Sequence, residues 1–253
     1  MSLSALDGLV WLLLMLGPLL ILQRKLHREI QALFLILTRR PTMTVTLFSI
    51  LFLPGVALHE VSHFLVARLL GVYTGKISLL PRPLKGGRLR MGFVETASTD
   101  VLRDALIGAA PLLSGGLVVA YIGILRMGLV PLANDLLRGQ FPLFWQGLGQ
   151  LPLLPDFWMW FYLAFVVSST MLPSPSDRRA WLPILVICGV LILVGLLAGA
   201  GTWMATHLAP AFNQGMRAIA SVFAISAAVH LVILLPIWLA RAVLSRLTGL
   251  AIS

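Results

Sequence analysis

Long, nearly uncharged apolar segments recur along the chain, and they constrain its fold more than any other feature. Of the 253 residues, 59% are hydrophobic and only 11% are charged. Soluble globular proteins carry roughly twice that charged fraction. Several segments exceed the roughly 18 apolar residues that are typical of a transmembrane helix. The composition therefore indicates a polytopic membrane protein whose core is a helix bundle in lipid.

Six segments are expected to cross the bilayer as one integral-membrane domain over residues 1–253. In chain order, the predicted spans are residues 5–22, 43–70, 104–125, 157–172, 181–200 and 216–240. We place a core at about 43–180, with the first span and the last two as additions. The basic and then briefly apolar stretch 23–41 is predicted to be an interfacial helix. The stretch 126–156, rich in Pro and aromatic residues, is predicted to be an interfacial loop or a half-buried helix.

One polar loop is long enough to carry structure of its own. Residues 71–100 are rich in Gly and Pro, a composition that disfavours helix. Lys76 to Leu80 and Arg88 to Val94 are predicted to be short strands on either side of a Gly-Gly turn at 86–87. Two interpretations are open: a plain basic loop, or a hairpin whose edge pairs with an extended substrate.

The net charge of +10 does not indicate nucleic-acid binding, because the basic residues lie in short loops and at helix ends. This distribution suits contact with anionic lipid headgroups of the bilayer and the orientation of the helices. With six spans, the loop 71–103, the turn 173–180 and both chain ends lie on one side. That side has a small excess of basic residues, so the positive-inside rule favours a cytoplasmic location for it.

The segment Pro54 to Val72 places ionisable residues inside an apolar span, PGVALHEVSHFLVARLLGV. On a helix, His59 and His63 lie one turn apart on one face, so both imidazoles can reach the same metal ion. Glu60 lies beside them, in a position to handle a proton. The H-E-x-x-H spacing is typical of metalloproteases, in which the histidines bind zinc and the glutamate acts as general base. Ionisable residues are costly in lipid and commonly functional there.

A catalytic zinc site commonly has three protein ligands, so a third must come from elsewhere in the chain. The candidates are Asp177, Glu95, Asp100, Asp104, His207 and His230. The spans place His59 roughly 10–15 Å below the face at which the third span begins and the fourth ends. Depth therefore excludes His207 as the third ligand, because it belongs to the opposite face, and disfavours His230, because it falls in the middle of a span. For Asp177 two roles stay open, because Ser174-Pro175-Ser176-Asp177 is also typical of a helix N-terminus that caps the fifth span.

These stretches resemble the site-2 protease family of intramembrane zinc metalloproteases. Residues 54–72 look like its metal-binding helix, and Gly108 and Pro111 with the small residues after them are similar to its second core helix. Residues 170–177, TMLPSPSD, resemble its Asn-x-x-Pro-x-Pro-x-x-Asp-Gly signature. The resemblance implies a Zn²⁺ ion held by His59, His63 and Asp177. It also implies an all-α polytopic membrane protein of about six transmembrane helices, with a small membrane-associated β-hairpin after the second.

The implied activity is that of an intramembrane zinc endopeptidase with transmembrane protein substrates, integral to a prokaryotic plasma membrane, its active site toward the cytoplasmic face. Glu60 is expected to take a proton from the attacking water and return it to the leaving amine. Thr170 or Ser114 is expected to donate a hydrogen bond to the oxyanion.

An altered third signature supports a different function. Thr170 stands in the place of the family asparagine, Asp177 is one residue closer, and Arg178 replaces the glycine. The alternative is a catalytically inactive member of the fold that acts as a scaffold, an assembly factor or a subunit of a membrane complex. A transporter would be expected to have repeated halves, and the sequence has no such repeat.

Overall fold

The computed structural model describes residues 7–79, 82–83, 89–90 and 92–250, most of which are helical. In chain order the α-helices are α1 (Asp7–Thr38), α2 (Pro41–Leu69), α3 (Val101–Tyr121), α4 (Leu129–Leu137), α5 (Phe141–Gln150), α6 (Phe157–Thr170), α7 (Trp181–Leu197) and α8 (Gly201–Thr248). A π-helical turn, Ile122–Arg126, extends α3, and a 3₁₀ turn, Leu151–Leu153, follows α5.

Several of these helices are suited to a membrane. In the described part of the chain, α1, α2, α8 and the extended α3 are long and apolar enough to cross a bilayer. A fifth crossing is available if α5 and α6 form one span that is bent by 99°. The prediction of a helical integral-membrane protein is confirmed. The predicted count of six spans is not confirmed, because α6 has 14 residues and α7 has 17.

Helix α1 corrects the prediction for the first span. Residues 5–22 were expected to form that span and residues 23–41 a separate interfacial helix, but one helix runs unbroken from Asp7 to Thr38. The basic stretch does not end the helix, because its basic side chains are exposed at the helix surface. Its single acidic residue, Glu29, forms an ion pair with Arg241 of α8.

Helices α1 and α8 run in the same direction, which contradicts the predicted topology. Asp7 pairs with Arg217, and Glu29, about six turns later along α1, pairs with Arg241. Six alternating spans would make the first and last helices antiparallel and put both chain ends on one side. That prediction is wrong, because parallel packing of α1 and α8 places the start of α1 and the end of α8 at opposite ends of the bundle.

The direction of the short helix α6 explains why the helices do not follow the alternation predicted for six spans. It runs parallel to α2, since Tyr162 donates a hydrogen bond to the Leu51 carbonyl oxygen and the Thr170 carbonyl oxygen contacts His59. Helix α2 forms an antiparallel hairpin with α1. The directions therefore alternate along α1, α2, α3, α6 and α8, whereas α7 is an apolar helix of 17 residues, shorter than the helices long enough to cross a bilayer in the described part of the chain.

A β-hairpin follows α2, as predicted. Strand β1 (Thr74–Ser78) pairs antiparallel with β4 (Phe93–Thr96). Between them, β2 (Arg82–Pro83) pairs with β3 (Leu89–Arg90). The interpretation as a plain basic loop is therefore wrong, whereas the predicted turn at 86–87 lies outside the described residues.

Small residues allow α2, α3 and α6 to approach closely. A Cβ atom built on Gly55 of α2 would lie 2.3 Å from the Val166 carbonyl oxygen of α6. One built on Gly108 of α3 would lie 2.0 Å from the Asp177 carbonyl oxygen. Cβ contacts below 3.0 Å essentially never occur, so neither position accepts a side chain without a displacement. Packing through small residues is a general mode of helix association in membranes.

Candidate metal centre

The structure brings His59, His63 and Asp177 together, two from α2 and one from the segment between α6 and α7. Their potential ligand atoms all lie within 4.8 Å of one another. The two imidazole Nε2 atoms are 3.2 Å apart. The carboxylate oxygens of Asp177 lie 3.7 Å from His59 Nε2 and 3.5 Å from His63 Nε2.

Backbone carbonyl groups fix the orientation of both imidazoles. His59 Nδ1 lies 2.7 Å from the Thr170 carbonyl oxygen, and His63 Nδ1 lies 2.8 Å from that of Ile107. Because a carbonyl oxygen only accepts hydrogen bonds, Nδ1 carries the hydrogen in both rings. In neutral imidazoles each Nε2 then has a lone pair, and two lone pairs face a carboxylate. Such a donor set fits a divalent cation, and ligand histidines are commonly oriented by carbonyl groups in this way.

Asp177 is held by its own segment and does not cap the next helix. Its Oδ2 atom accepts a hydrogen bond from the Ser174 amide at 2.7 Å. Helix α7 has Ala180 at its N-cap and no side-chain cap, so the capping role considered for Asp177 is wrong. Burial alone would raise the pKa of Asp177, but the adjacent imidazoles of His59 and His63 and the hydrogen bond from the Ser174 amide hold the pKa well below its usual range. The carboxylate is therefore charged at neutral pH.

Glu60 lies beside the three ligand residues, beneath the hairpin. Its side chain is buried and lines the same cavity as the two histidines. A Cβ atom built on Gly92, just before β4, would lie 2.9 Å from Glu60 Oε1, so the hairpin backbone packs directly against the carboxylate. Glu60 is therefore a buried carboxylate in the cavity that both histidines line, outside the group of three potential ligands.

The ligand group opens into a cavity of about 1140 Å³. At one end the cavity is lined by β4, Asp104 and Arg179, and at the other by Phe48 and His27. The Arg179 guanidinium donates to both carboxylate oxygens of Asp104, at 2.8 and 2.9 Å. This ion pair connects α3 to the segment that carries Asp177.

The two expected oxyanion donors lie in different places. Thr170 lines the cavity, but its hydroxyl group donates to the Val166 carbonyl oxygen at 3.0 Å, and its own carbonyl oxygen orients His59. Ser114 lies on α3, where its hydroxyl group donates to the Pro111 carbonyl oxygen at 3.4 Å. Ser114 is not one of the described residues that line the cavity.

The other residues considered as third ligands do not join the group. Glu95 and Asp104 line the cavity outside it. Asp100 caps the N-terminus of α3. His207 is exposed on the outer part of α8, and His230 is buried against α6.

The contribution of α1 to the cavity was not predicted from the sequence. His27 and Gln31 line it together with Phe48 and Phe52 of α2. A signal was present, because each pair is separated by four residues and so lies on one helix face. The predicted end of the first span at residue 22 hid this signal by placing His27 and Gln31 in an interfacial segment.

No family model matches the chain, and no curated protein and no solved structure gives a significant match. A function for this chain therefore rests on the chemistry of its site rather than on relatives.

Proposed function

We propose that this chain is an intramembrane zinc metallo-endopeptidase, similar to site-2 proteases, that hydrolyses peptide bonds of membrane-spanning substrates. The observation that carries the proposal is the convergence of His59, His63 and Asp177 inside a membrane-type helix bundle, with Glu60 beside them. The Nδ1 contacts to carbonyl groups support it further, since they direct both Nε2 atoms at the shared space.

The donor set favours Zn²⁺ over harder cations. Two imidazole nitrogens and one carboxylate oxygen are typical of catalytic zinc, whereas Mg²⁺ and Ca²⁺ prefer oxygen ligands throughout. When bound, zinc acts as a Lewis acid that polarises a carbonyl group and makes water acidic near neutral pH.

The chain's own residues account for the proton transfers. Glu60 takes the proton of the attacking water on its carboxylate and passes it to the leaving amine. Asp177 and the two histidines hold their positions through the hydrogen bonds of Ser174 and of the backbone carbonyl groups. Of the two proposed oxyanion donors, Thr170 is the one among the residues that line the cavity, and its hydroxyl group would leave the Val166 carbonyl oxygen to donate there.

The placement of β4 supports an extended substrate. A helical substrate hides its carbonyl groups in hydrogen bonds, so it must unwind locally before hydrolysis. Val94, Glu95 and Thr96 of β4 line the cavity, which places a strand beside the ligand group. Pairing of the substrate backbone with a strand is a common mode of peptide recognition.

The proposed location is a prokaryotic plasma membrane, with the mouth of the cavity toward the cytoplasm. The basic loop 71–103 supports this orientation. The parallel packing of α1 and α8 moves Arg241 and Arg246 to the opposite end of the bundle, and the ion pair with Asp7 moves Arg217 to the mouth end, so the excess of basic residues predicted for the mouth side is lost. The proposed orientation therefore rests on the basic loop itself.

The proposal is tested by measuring metal content and cleavage on the same purified protein. The wild-type chain in detergent is expected to hold one zinc ion and to cleave a proteome-derived peptide library, with products mapped by mass spectrometry. Glu60→Gln is expected to keep zinc and to lose cleavage by at least about 100-fold. Asp177→Ala is expected to lose both. A folded wild-type protein without zinc and without cleavage would instead support the inactive scaffold.

A further inference from the structure

Two ion pairs between α1 and α8 mark the edges of an apolar layer. Asp7 pairs with Arg217, and Glu29 pairs with Arg241. Along α1 the two acidic residues lie about 33 Å apart, at a rise of 1.5 Å per residue. The hydrocarbon core of a bilayer is roughly 30 Å thick. The hydrocarbon layer therefore fits between the two ion pairs.

The residues between the ion pairs support this position of the bilayer. Residues 8–23 of α1 and 218–240 of α8 contain no Asp, Glu, Lys or Arg. Trp11 is exposed near the first ion pair, and Trp238 is exposed near the second. Tryptophan is enriched where a membrane meets water. Each edge of the apolar layer thus carries both an ion pair and an exposed tryptophan.

The second ion pair lies at the edge away from the mouth of the cavity. The end of α1 meets the start of α2, where the hydroxyl groups of Thr38 and Thr44 lie 3.2 Å apart. The ligand group lies farther along α2, and the β-hairpin follows the end of that helix. The edge at Glu29 therefore belongs to the leaflet opposite to the mouth.

A groove lined by basic residues lies at this edge, on the outer face of α1. Arg24, Lys25 and Arg28 are exposed, and with Ile21 and Glu29 they line an open groove of about 340 Å³. Their spacing of three or four residues places the side chains on one helix face. The groove is thus built by a single helix and is open to lipid and water.

The positive charge of this groove is not balanced by acidic residues of the described chain. Its one acidic residue, Glu29, is already paired with Arg241. No ion pair within the described ranges involves Arg24, Lys25 or Arg28. Basic residues at a membrane surface attract anionic headgroups, and phosphate oxygens accept charge-assisted hydrogen bonds from them.

The depth of the groove favours a lipid phosphate group as its ligand. The three cations lie about 25–32 Å from Asp7 along α1, where the hydrocarbon layer ends and the headgroups begin. Ile21 is exposed one turn deeper, so an acyl chain meets an apolar surface there. We propose that Arg24, Lys25 and Arg28 bind the phosphate group of one anionic phospholipid of the phosphatidylglycerol type, in the leaflet opposite to the cavity mouth. This site does not depend on peptidase activity.

Lipid titration of the purified chain in detergent, followed by native mass spectrometry, tests the ligand class. Phosphatidylglycerol is expected to bind at least about tenfold more tightly than phosphatidylcholine, because the choline cation offsets the phosphate charge. Glycerol 1-phosphate carries the phosphate group without acyl chains, and at equal concentration it is expected not to displace the lipid. Equal affinities for the two lipids, or displacement by glycerol 1-phosphate, would overturn the proposal.

A double substitution tests whether this groove is the site. Arg24→Gln with Arg28→Gln removes two cations and keeps side chains that suit an exposed helix. Each basic residue near an anionic surface contributes about fivefold to affinity, so phosphatidylglycerol is expected to bind roughly 25-fold more weakly.

The matched control is Arg39→Gln with Arg40→Gln, which removes the same charge from two other exposed arginines. These residues lie about three turns beyond Arg28, and charges at that distance are largely screened by salt. The control is expected to change the affinity by less than about twofold. Equal losses in the two double variants would assign the binding to net charge rather than to the groove.

Photocrosslinking provides a readout on the unaltered protein. A phosphatidylglycerol that carries a diazirine near its headgroup is added in small amount to a phosphatidylcholine bilayer that contains the wild-type chain. Attachment to residues 21–28 after irradiation supports the site, and attachment mainly elsewhere overturns it. Because no residue is replaced, this result stands even where the double variant does not fold.

Discussion

The metal group and the surroundings of His230 are both built on buried imidazoles, but the second nitrogens face different partners. His230 Nδ1 lies 2.7 Å from the Ser226 carbonyl oxygen, and its Nε2 lies 2.9 Å from the Ser169 hydroxyl group. In His59 and His63, Nδ1 also contacts a carbonyl group. Their two Nε2 atoms, however, lie 3.2 Å from each other and face a carboxylate.

This difference separates a histidine whose hydrogen bonds are complete within the protein from two that are suited to bind a cation. A hydroxyl group donates to Nε2, so the hydrogen bonds of His230 are complete within the protein. Two Nε2 lone pairs beside a carboxylate have no such closure, and one cation satisfies all three groups. Since Nδ1 contacts a carbonyl group in both regions, that contact alone does not identify a metal ligand. The group that Nε2 faces does.

Replacement of His63 by Ala is expected to have the largest effect, because it removes one of three ligands. Zinc affinity should fall by at least about 100-fold, beyond the loss typical for removing a supporting residue, and cleavage should be lost with it. Competition with a chelator of known affinity measures the first effect. Full zinc retention in folded His63→Ala would show that Nε2 geometry is a poor guide to ligands in this chain.

The second prediction is for a substitution that changes the position of Asp177 without replacing a proposed ligand. Gly108→Ala places a Cβ atom 2.0 Å from the Asp177 carbonyl oxygen, so the segment must move. Zinc affinity is expected to fall by about tenfold or more, within the range of disrupted supporting contacts.

Gly116→Ala is the matched control on the same helix, because its Cβ atom would lie 3.9 Å from Val222, an ordinary contact. Equal zinc affinities in the two variants, measured by chelator competition, would mean that the close approach of α3 does not position Asp177.

Local spacing was sufficient to predict that His59 and His63 lie close together. His59, Glu60 and His63 lie within five residues, and helical geometry alone places both imidazoles on one face. The hairpin after α2 was predictable only in part, because Gly and Pro disfavour a helix there but leave a plain loop equally open. Asp177 needed more than spacing, since its sequence fits a helix cap equally well, and only the three-dimensional structure places Ala180 at that cap.

Contacts between distant parts of the chain account for what the sequence did not predict. Asn213 lies before the predicted sixth span, and Arg217 lies at its start. In the structure both contact Asp7, more than two hundred residues away, and α8 already begins at Gly201. Glu29 and Arg241 likewise stabilise a helix through a stretch whose charges indicated a break. No local window contains either partner.

The third prediction concerns the structural histidine. His230→Ala removes two hydrogen bonds and leaves the Ser169 hydroxyl group without its partner. Stability is expected to fall by about 1–3 kcal/mol, while zinc content stays unchanged. The midpoint of thermal unfolding in detergent and the metal content are measured on the same sample. His207→Ala, on the exposed part of α8, is the control and should change neither. Loss of zinc in folded His230→Ala would show that His230 also supports zinc binding, so the two regions would not have separate roles.

The smallest effect is expected at the ion pair of Arg179 and Asp104. It bridges α3 and the segment of Asp177 with good bidentate geometry, but the Arg179 side chain is 62% exposed. Exposed pairs contribute less than about 1 kcal/mol, so Arg179→Ala should lower zinc affinity by less than about fivefold. The effect should shrink further in high salt, because ions screen exposed charges.

Arg178→Ala is the control for this ion pair, because that guanidinium contacts the Ser174 carbonyl oxygen rather than a carboxylate. A loss of zinc affinity in Arg179→Ala as large as that in Gly108→Ala would mean that the ion pair positions Asp177 as strongly as the close contact at Gly108 does. Asp177 would then be held in place from the surface, by charge, rather than from within by the contact of its backbone with α3. Because the close contact at Gly108 does not depend on ionic strength, measuring both variants at low and high salt separates the two causes.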